Sequence, residues 1–361
     1  MELFHANRQW ASRPVDERFD SLESLYRATK AYAEVAREKT DVRFGDVRVE
    51  NQNDDVVLTG RANVPAKLSH YAFGQLCARV GAPANYLREL PAGMAVSNLN
   101  HGLAVRSNAS DTRDARLNLL FHQNDGLLLR AVTSDKYARI WNWEVADRLR
   151  DMASKGWEPA RPDIRQSMGD FPALYASDHD MFAFVRNSNL TVEEKGSDGA
   201  MYKGVIVENS EVGASALKLT RFLYREMCGN HIIWGASKVL EISVRHVGDA
   251  RQKWDRYSVQ LRKYAEESVS DVEATIAYTK TKVIGAKKED VLDVLFGKRI
   301  PGLSRRVIEQ GYDACIPEQD GEPNTQWGIV QGLTRFSQTI PYADKRTEID
   351  RAAGKVMEAT F

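Results

Sequence analysis

The chain has 361 residues, of which 43% are hydrophobic and 28% charged, the make-up of a globular protein of about two domains. Fifty Lys and Arg balance fifty Asp and Glu, so the whole chain is not a basic nucleic-acid coat and any such role must be local. Three scattered cysteines, Cys77, Cys228 and Cys315, argue against a disulfide framework and for a reducing compartment such as the cytoplasm.

The chain opens on no basic-then-apolar leader, and no run approaches the roughly 18 apolar residues of a membrane span. Residues 1–18 are polar and read as a loose arm. Residues 19–39 place Leu22, Leu25, Tyr26, Tyr32, Ala33 and Ala36 near helical spacing, with Thr29 inside the stripe. Asp20 and Glu23 are positioned as a capping pair. Residues 42–60 alternate apolar and polar on either side of Asn51-Gln52-Asn53-Asp54-Asp55, which predicts a hairpin. Residues 64–100 read as short helices, with Gly81 as a stop and Pro83 and Pro91 as openers.

Residues 101–133 read as three strands, 101–107 among them, with a hairpin turn at Asn124-Asp125-Gly126. Residues 137–155 are an amphipathic helix that Gly156 stops, and Asp135 is a candidate cap. Residues 172–187 form a strand, a polar turn and a strand, and 187–203 an exposed hairpin arm or loop. At least two more strands follow within 203–247. A long helix starts near 247, and several short helices fill 286–361. The fold class expected is α+β: an N-terminal arm and helix (1–40), a mixed, mainly antiparallel sheet domain (41–248) and an α-helical C-terminal region (249–361).

Four blocks carry a family resemblance: residues 118–149 (NLLFHQNDGLLLRAVTSDKYARIWNWEVADRL), 173–185 (ALYASDHDMFAFV), 204–236 (GVIVENSEVGASALKLTRFLYREMCGNHIIWGA) and 327–357 (WGIVQGLTRFSQTIPYADKRTEIDRAAGKVM). In these the chain resembles a phage- and plasmid-associated family known as domain of unknown function 932. The resemblance spans roughly residues 65–357 and brings no catalytic residues with it. It implies a mobile-element setting in a bacterial cell. By analogy of fold and setting alone, it suggests a Rad52-like single-strand annealing protein.

Several constellations carry chemistry of their own. Cys228 and His231, with His246 or His179, offer a partial metal set, but no second paired half exists, and a buried free Cys in a tight turn explains the pair as well. Cys228 as a nucleophile would need His231 as its base and an orienting third group. Ser177, Asp178, His179 and Asp180 can hold a cation or a general base, or simply close a hairpin through their own backbone hydrogen bonds. Lys136 and Arg139 can face a ligand or solvent. Glu208, Asn209, Ser210 and Glu211 interrupt an apolar strand, as a metal or sugar-phosphate site or as a turn. No phosphate loop, dinucleotide fingerprint, zinc-protease helix or nucleophile elbow is present.

The strongest local signal is charge. Residues 214–263 hold ten Lys and Arg against four acids, a local net of +6 in a chain of net zero. Lys218, Arg221, Arg225, Lys238, Arg245, Arg251, Lys253 and Arg256 can track phosphates, and Tyr224 and Trp254 can stack on bases. On a helix, Lys218, Arg221 and Arg225 share one face; on a strand, the arginines and Lys218 part to opposite faces. A solvated charged face is the plain alternative. These features predict a non-catalytic, cofactor-free, homo-oligomeric protein that binds and anneals single-stranded DNA without membrane association. The alternatives are a metal-dependent, nuclease-like enzyme using Asp178, His179, Glu208 and Glu211, and an interaction protein acting on a host factor.

Overall fold

The alternating segments build two sheets where a single one was expected, in a computed structural model described for residues 17–60, 65–109, 116–124, 126–160, 173–192, 201–225, 230–232, 242–249, 270–340 and 343–361, together with Gln252, Asp255 and Val259. The first contains β2 (Ala36–Arg43), β3 (Val47–Gln52), β4 (Asp55–Gly60), β5 (Ala66–Leu68), β6 (Arg116–Asn124) and β7 (Gly126–Ser134), in the order β2-β6-β7-β5-β4-β3. Every neighbouring pair is antiparallel except β5 with β7. Asn53 and Asp54 close the β3–β4 hairpin at φ 53° and 65°, the left-handed pair that a tight hairpin turn requires.

One face of this sheet, with Val42, Val47, Val49, Leu58, Leu117, Leu119, Leu129 and Val132, packs on α2 (His70–Val80) and α4 (Ala92–Asn108). The Ser69 hydroxyl accepts the Ala72 N–H at 3.1 Å to start α2, and Gly81 ends it at φ 75°. Pro83 and Pro91 stand just before α3 (Ala84–Glu89) and α4. Helix α4 continues to Asn108, so the strand expected at 101–107 is the second half of a helix. Leu99 and Leu103 carry one buried stripe across that point, and Gly102 between them lies close against Val80 of α2.

The second sheet comprises β1 (Arg18–Phe19), β8 (Trp157–Pro159), β9 (Leu174–Ala176), β10 (Met181–Val192), β11 (Met201–Asn209), β12 (Leu217–Arg225), β13 (Asn230–Ile232) and β14 (Ile242–Val244). Its order is β1-β9-β10-β11-β12-β13, with β8 beside β10 and β14 beside β12, all antiparallel. One face, with Met181, Ala183, Val185, Val205, Val207, Leu217 and Leu219, packs on α1 (Leu22–Glu34) and α5 (Asn142–Ala153). Helix α1 is shorter than its periodicity suggested, because residues 36–43 pair with β6 instead. Its cap is Ser21, not Asp20: Ser21 Oγ accepts the Ser24 N–H at 3.0 Å, and Ser24 Oγ accepts the Ser21 N–H at 3.1 Å. Thr29 fills the buried stripe by donating its hydroxyl to the Leu25 carbonyl at 2.8 Å. Asp135 does not cap α5; its carboxylate turns back to the Lys136 N–H, and Glu144 accepts the Trp141 N–H at the helix start.

The opposite face of the second sheet holds Tyr175, Phe184, Ile206 and Phe222, and among the described residues no helix joins that cluster. Gly204 lies beneath the Phe222 ring, where a Cβ would collide with it.

The C-terminal region is helical: α6 (Ser270–Thr281), α7 (Lys288–Gly297), α8 (Arg305–Ala314), α9 (Pro317–Asp320), α10 (Gln326–Gln338) and α11 (Ala343–Glu358). Of the long helix expected from 247, Gln252, Asp255 and Val259 are helical and precede α6. Trp327, Ile329, Val330 and Leu333 of α10 form the centre of this core, which also takes in Val192, Met201 and Leu223 of the second sheet. In the arm expected at 187–203, Ser188, Asn189 and Thr191 are exposed while Val192 and Met201 are buried against helices; residues 193–200 lie outside the described set. The fold is α+β, and among the described residues no helix is long and apolar enough to cross a membrane.

Candidate functional site

The polar run that ends β11 binds the two sheets together. Asn209, Ser210 and Glu211 are 0%, 0% and 1% exposed, so each must find partners inside the protein. Asn209 Nδ2 donates to the Ile140 carbonyl at 3.0 Å and to Asn142 Oδ1 at 2.8 Å. Ser210 Oγ donates to the His179 carbonyl at 2.5 Å, and the Tyr137 hydroxyl donates to the Ser210 carbonyl at 3.0 Å. Gln75, from α2, donates to the Val212 carbonyl and accepts the Val132 N–H, both at 2.8 Å.

Glu211 is the centre of this network. Its Oε2 accepts both Arg130 terminal nitrogens at 3.1 Å, and its Oε1 accepts the Asn142 N–H at 2.9 Å, at the positive end of α5. Arg139 donates to the Glu211 carbonyl and pairs with Glu38 at 2.8 Å. Arg139 is thus an internal tie of the loop, while Lys136 is exposed.

Arg130 also donates to the Asp178 carbonyl, and its guanidinium stands 4.4 Å from the centre of the Tyr32 ring. Tyr32 in turn stacks on His122 at 4.0 Å. Burial raises the Tyr32 pKa against the opposing effect of Arg130, and burial with Arg130 lowers that of His122. Beside these groups is a cavity of about 300 Å³ lined by Glu17, Phe19, Thr29, Tyr32, Asn142, Ser177, Asp178 and Glu211, with Ala28 and Ala176. Of the eight, sequence reading singled out only Ser177, Asp178 and Glu211 as chemistry. The available signal was Arg130 itself, a lone charge in the apolar strand β7.

The Ser177–Asp180 turn closes the β9–β10 hairpin. Ser177 Oγ lies 2.6 Å from Asp180 Oδ1 and accepts the Asp180 N–H at 3.2 Å. His179 lies between Asp178 at 3.0 Å and Asp180 at 3.6 Å. Glu208 is apart from this group. It shares a sheet face with Phe182 and Lys218, and its carboxylate is 3.6 Å from the Lys218 ammonium. Asp178 and Glu211 meet at the cavity, while Glu208 does not join them. Among the described residues no group of three or more His, Cys, Asp and Glu could hold a metal ion. His246 stacks on Tyr137 at 5.1 Å, and its Nδ1 accepts the Ile140 N–H at 3.4 Å. Cys228 lies outside the described residues, and so does the His231 side chain.

Residues 217–225 form a strand, so Lys218, Arg221 and Arg225 do not make a helical stripe. Lys218 and Arg221 alternate to opposite faces, and both are partly exposed. Tyr224 and Arg225 continue β12, with side chains outside the described set. Leu217 opposite Val244 puts the exposed Arg245 at the Lys218 end of β12. Lys238, Arg251, Lys253, Trp254 and Arg256 lie outside the described residues. On the Lys218 face the partly exposed rings of Phe182 and Tyr202 accompany Arg186, which stands 4.2 Å over the Tyr202 ring and 3.2 Å from Glu158. Phe182, Tyr202 and Arg186 were missed because nothing in their spacing separates a half-covered sheet face from a buried one.

A family model described as "Domain of unknown function (DUF932)" matches residues 130–340. The match spans Arg130, the Glu211 loop and the basic segment. No curated protein and no solved structure matches the chain.

Proposed function

We propose that this chain, which belongs to the DUF932 family, binds single-stranded nucleic acid without cutting it, as a DNA-binding or annealing protein of a phage or other mobile element. The observation that carries this reading is the group of partly exposed residues on the face of the second sheet opposite α1 and α5. There Phe182 and Tyr202 are partly exposed next to Arg186 and Lys218, and Arg245 is exposed at the same end of β12. Single-strand binding needs both parts: cations track the backbone, and aromatic faces stack on bases of any sequence.

Along the sequence, residues 214–263, which include Lys218 and Arg245, carry a net charge of +6, which favours a polyanionic partner. Binding along the backbone would leave base edges free to meet a second strand. Homo-oligomers would add weak sites into useful avidity. A gel shift with a labelled single-stranded oligonucleotide at low salt tests the proposal. A retarded species is expected, weakened by Tyr202→Ala and by Lys218→Gln. No shift at micromolar protein would overturn it.

A further inference from the structure

The first sheet carries a cavity of its own, apart from the Glu211 loop and from the β12 face. Strands β2 and β3 are the two ends of the sheet order, yet both line it, together with β4, β6 and β7. The sheet therefore curls round on itself, with the short turn Phe44–Asp46 joining its two edges. The space enclosed is about 300 Å³.

Its walls are apolar. Val42, Val47, Leu58 and Leu119 are buried there, and Phe121 and Leu127 are partly exposed to it. All six also belong to the layer that packs on α2 and α4, so the cavity is a continuation of that core which the helices do not fill. Water in such a space finds few partners, and an aliphatic group is the better occupant.

The rim has the opposite character. Arg37 stands across from Phe121 and Lys39 across from Leu119 in the β2–β6 pairing. Residues directly opposite share a sheet face, so both long stems run beside the apolar floor and carry their charges to its edge. Both side chains are exposed, and among the described residues neither makes an ion pair or a side-chain hydrogen bond. Gln123 follows Phe121 on the same face and adds an amide. Two carboxylates lie close by, but both are engaged. Glu38 alternates to the other face, where it pairs with Arg139, and Asp46 has a partner within the protein.

We infer that this cavity binds a medium-chain aliphatic carboxylate, with the chain against Leu58, Leu119, Phe121 and Leu127 and the carboxylate held by Arg37 and Lys39. At about 30 Å³ for each non-hydrogen atom, the liquid volume of one water, the space takes roughly ten such atoms, which is the size of octanoate. A cationic chain of the same length would meet two unpaired cations at the mouth, and a small inorganic anion would leave the apolar walls unused.

Titration calorimetry on the full chain tests this with octanoate, with octanol, which keeps the chain without the charge, and with acetate, which keeps the charge without the chain. Octanoate should bind saturably and more tightly than octanol, and acetate should give no saturable heat. Arg37→Gln with Lys39→Gln replaces two exposed side chains, so its melting temperature should match the parent. The double variant should weaken octanoate roughly tenfold and leave octanol unchanged. No saturable heat with octanoate, octanol binding as tightly as octanoate, or octanoate binding that the double variant leaves unchanged would overturn the inference. The oligonucleotide gel shift reads residues of the other sheet and should persist in the double variant, so failure here is separable from failure of the nucleic-acid reading.

Discussion

Arg130 and Glu211 are 81 positions apart in the chain and 3.1 Å apart in space, with side chains 1% and 2% exposed. Each sheet supplies one partner. The pair therefore locks the β6–β7 hairpin of the first sheet to the β11–β12 loop of the second.

Removing one partner should be far worse than removing both. Arg130→Met leaves the Glu211 carboxylate buried without its guanidinium, at a cost of about 3–5 kcal/mol. Arg130→Met with Glu211→Gln should recover part of that loss. Urea denaturation of the four proteins in the cycle gives the coupling. Additive losses would show that the pair does not act as a unit.

Gly204 and Phe222 form a second test. A methyl at 204 would run into the Phe222 ring, so Gly204→Ala should destabilise by about 1–3 kcal/mol. Phe222→Leu should rescue part of it by clearing the space. Equal stability of Gly204→Ala and the parent would contradict the packing.

Burial pushes His246 down to about 4, and the nearby Arg139 adds to this. The folded value lies below the unfolded one near 6.5, so between these pH values the unfolded chain binds a proton that the native protein does not. The stability that His246 contributes is present above about 6.5 and is lost as pH falls towards 4, at up to about 1.4 kcal/mol per pH unit. The difference in slope between the parent and His246→Gln, measured by urea denaturation across this window, isolates the histidine. Parallel profiles would refute it.

Burial raises the Cys77 thiol to about 11 and the Cys315 thiol to about 12. Neither forms much thiolate at neutral pH, and the thiolate is the nucleophile. An aromatic disulfide reagent should therefore titrate at most one of the three cysteines quickly in the native protein and all three in denaturant. Rapid reaction of two or more would contradict the buried placement.

Local grammar was readable from the residues. Asn53-Asp54, Gly81, Pro83 and Pro91 each demand a particular backbone conformation, and each marks the boundary expected of it. The β9–β10 turn and helices α7, α8, α10 and α11 were legible for the same reason. What was not legible depends on distant partners. Residues 36–39 looked like the end of a helix because only their pairing with β6, some 80 residues on, makes them a strand. Residues 101–107 alternate well enough for a strand, and Leu99 against Leu103 decides for helix. Of the site, Glu211 and Asp178 stood out as polar interruptions. Tyr32, His122 and Asn142 lie on separate elements that only the packing of α1 against the second sheet brings together.

The most direct test of the nucleic-acid account is fluorescence anisotropy of a labelled single-stranded oligonucleotide, titrated with the protein across about 50–200 mM salt. If Arg186, Lys218, Arg245 and the remaining cations of 214–263 hold about four to eight phosphates, log affinity should fall against log salt with a slope of about −3 to −6. Affinity that does not change with salt, or no binding at micromolar protein even at the lowest salt, would contradict it.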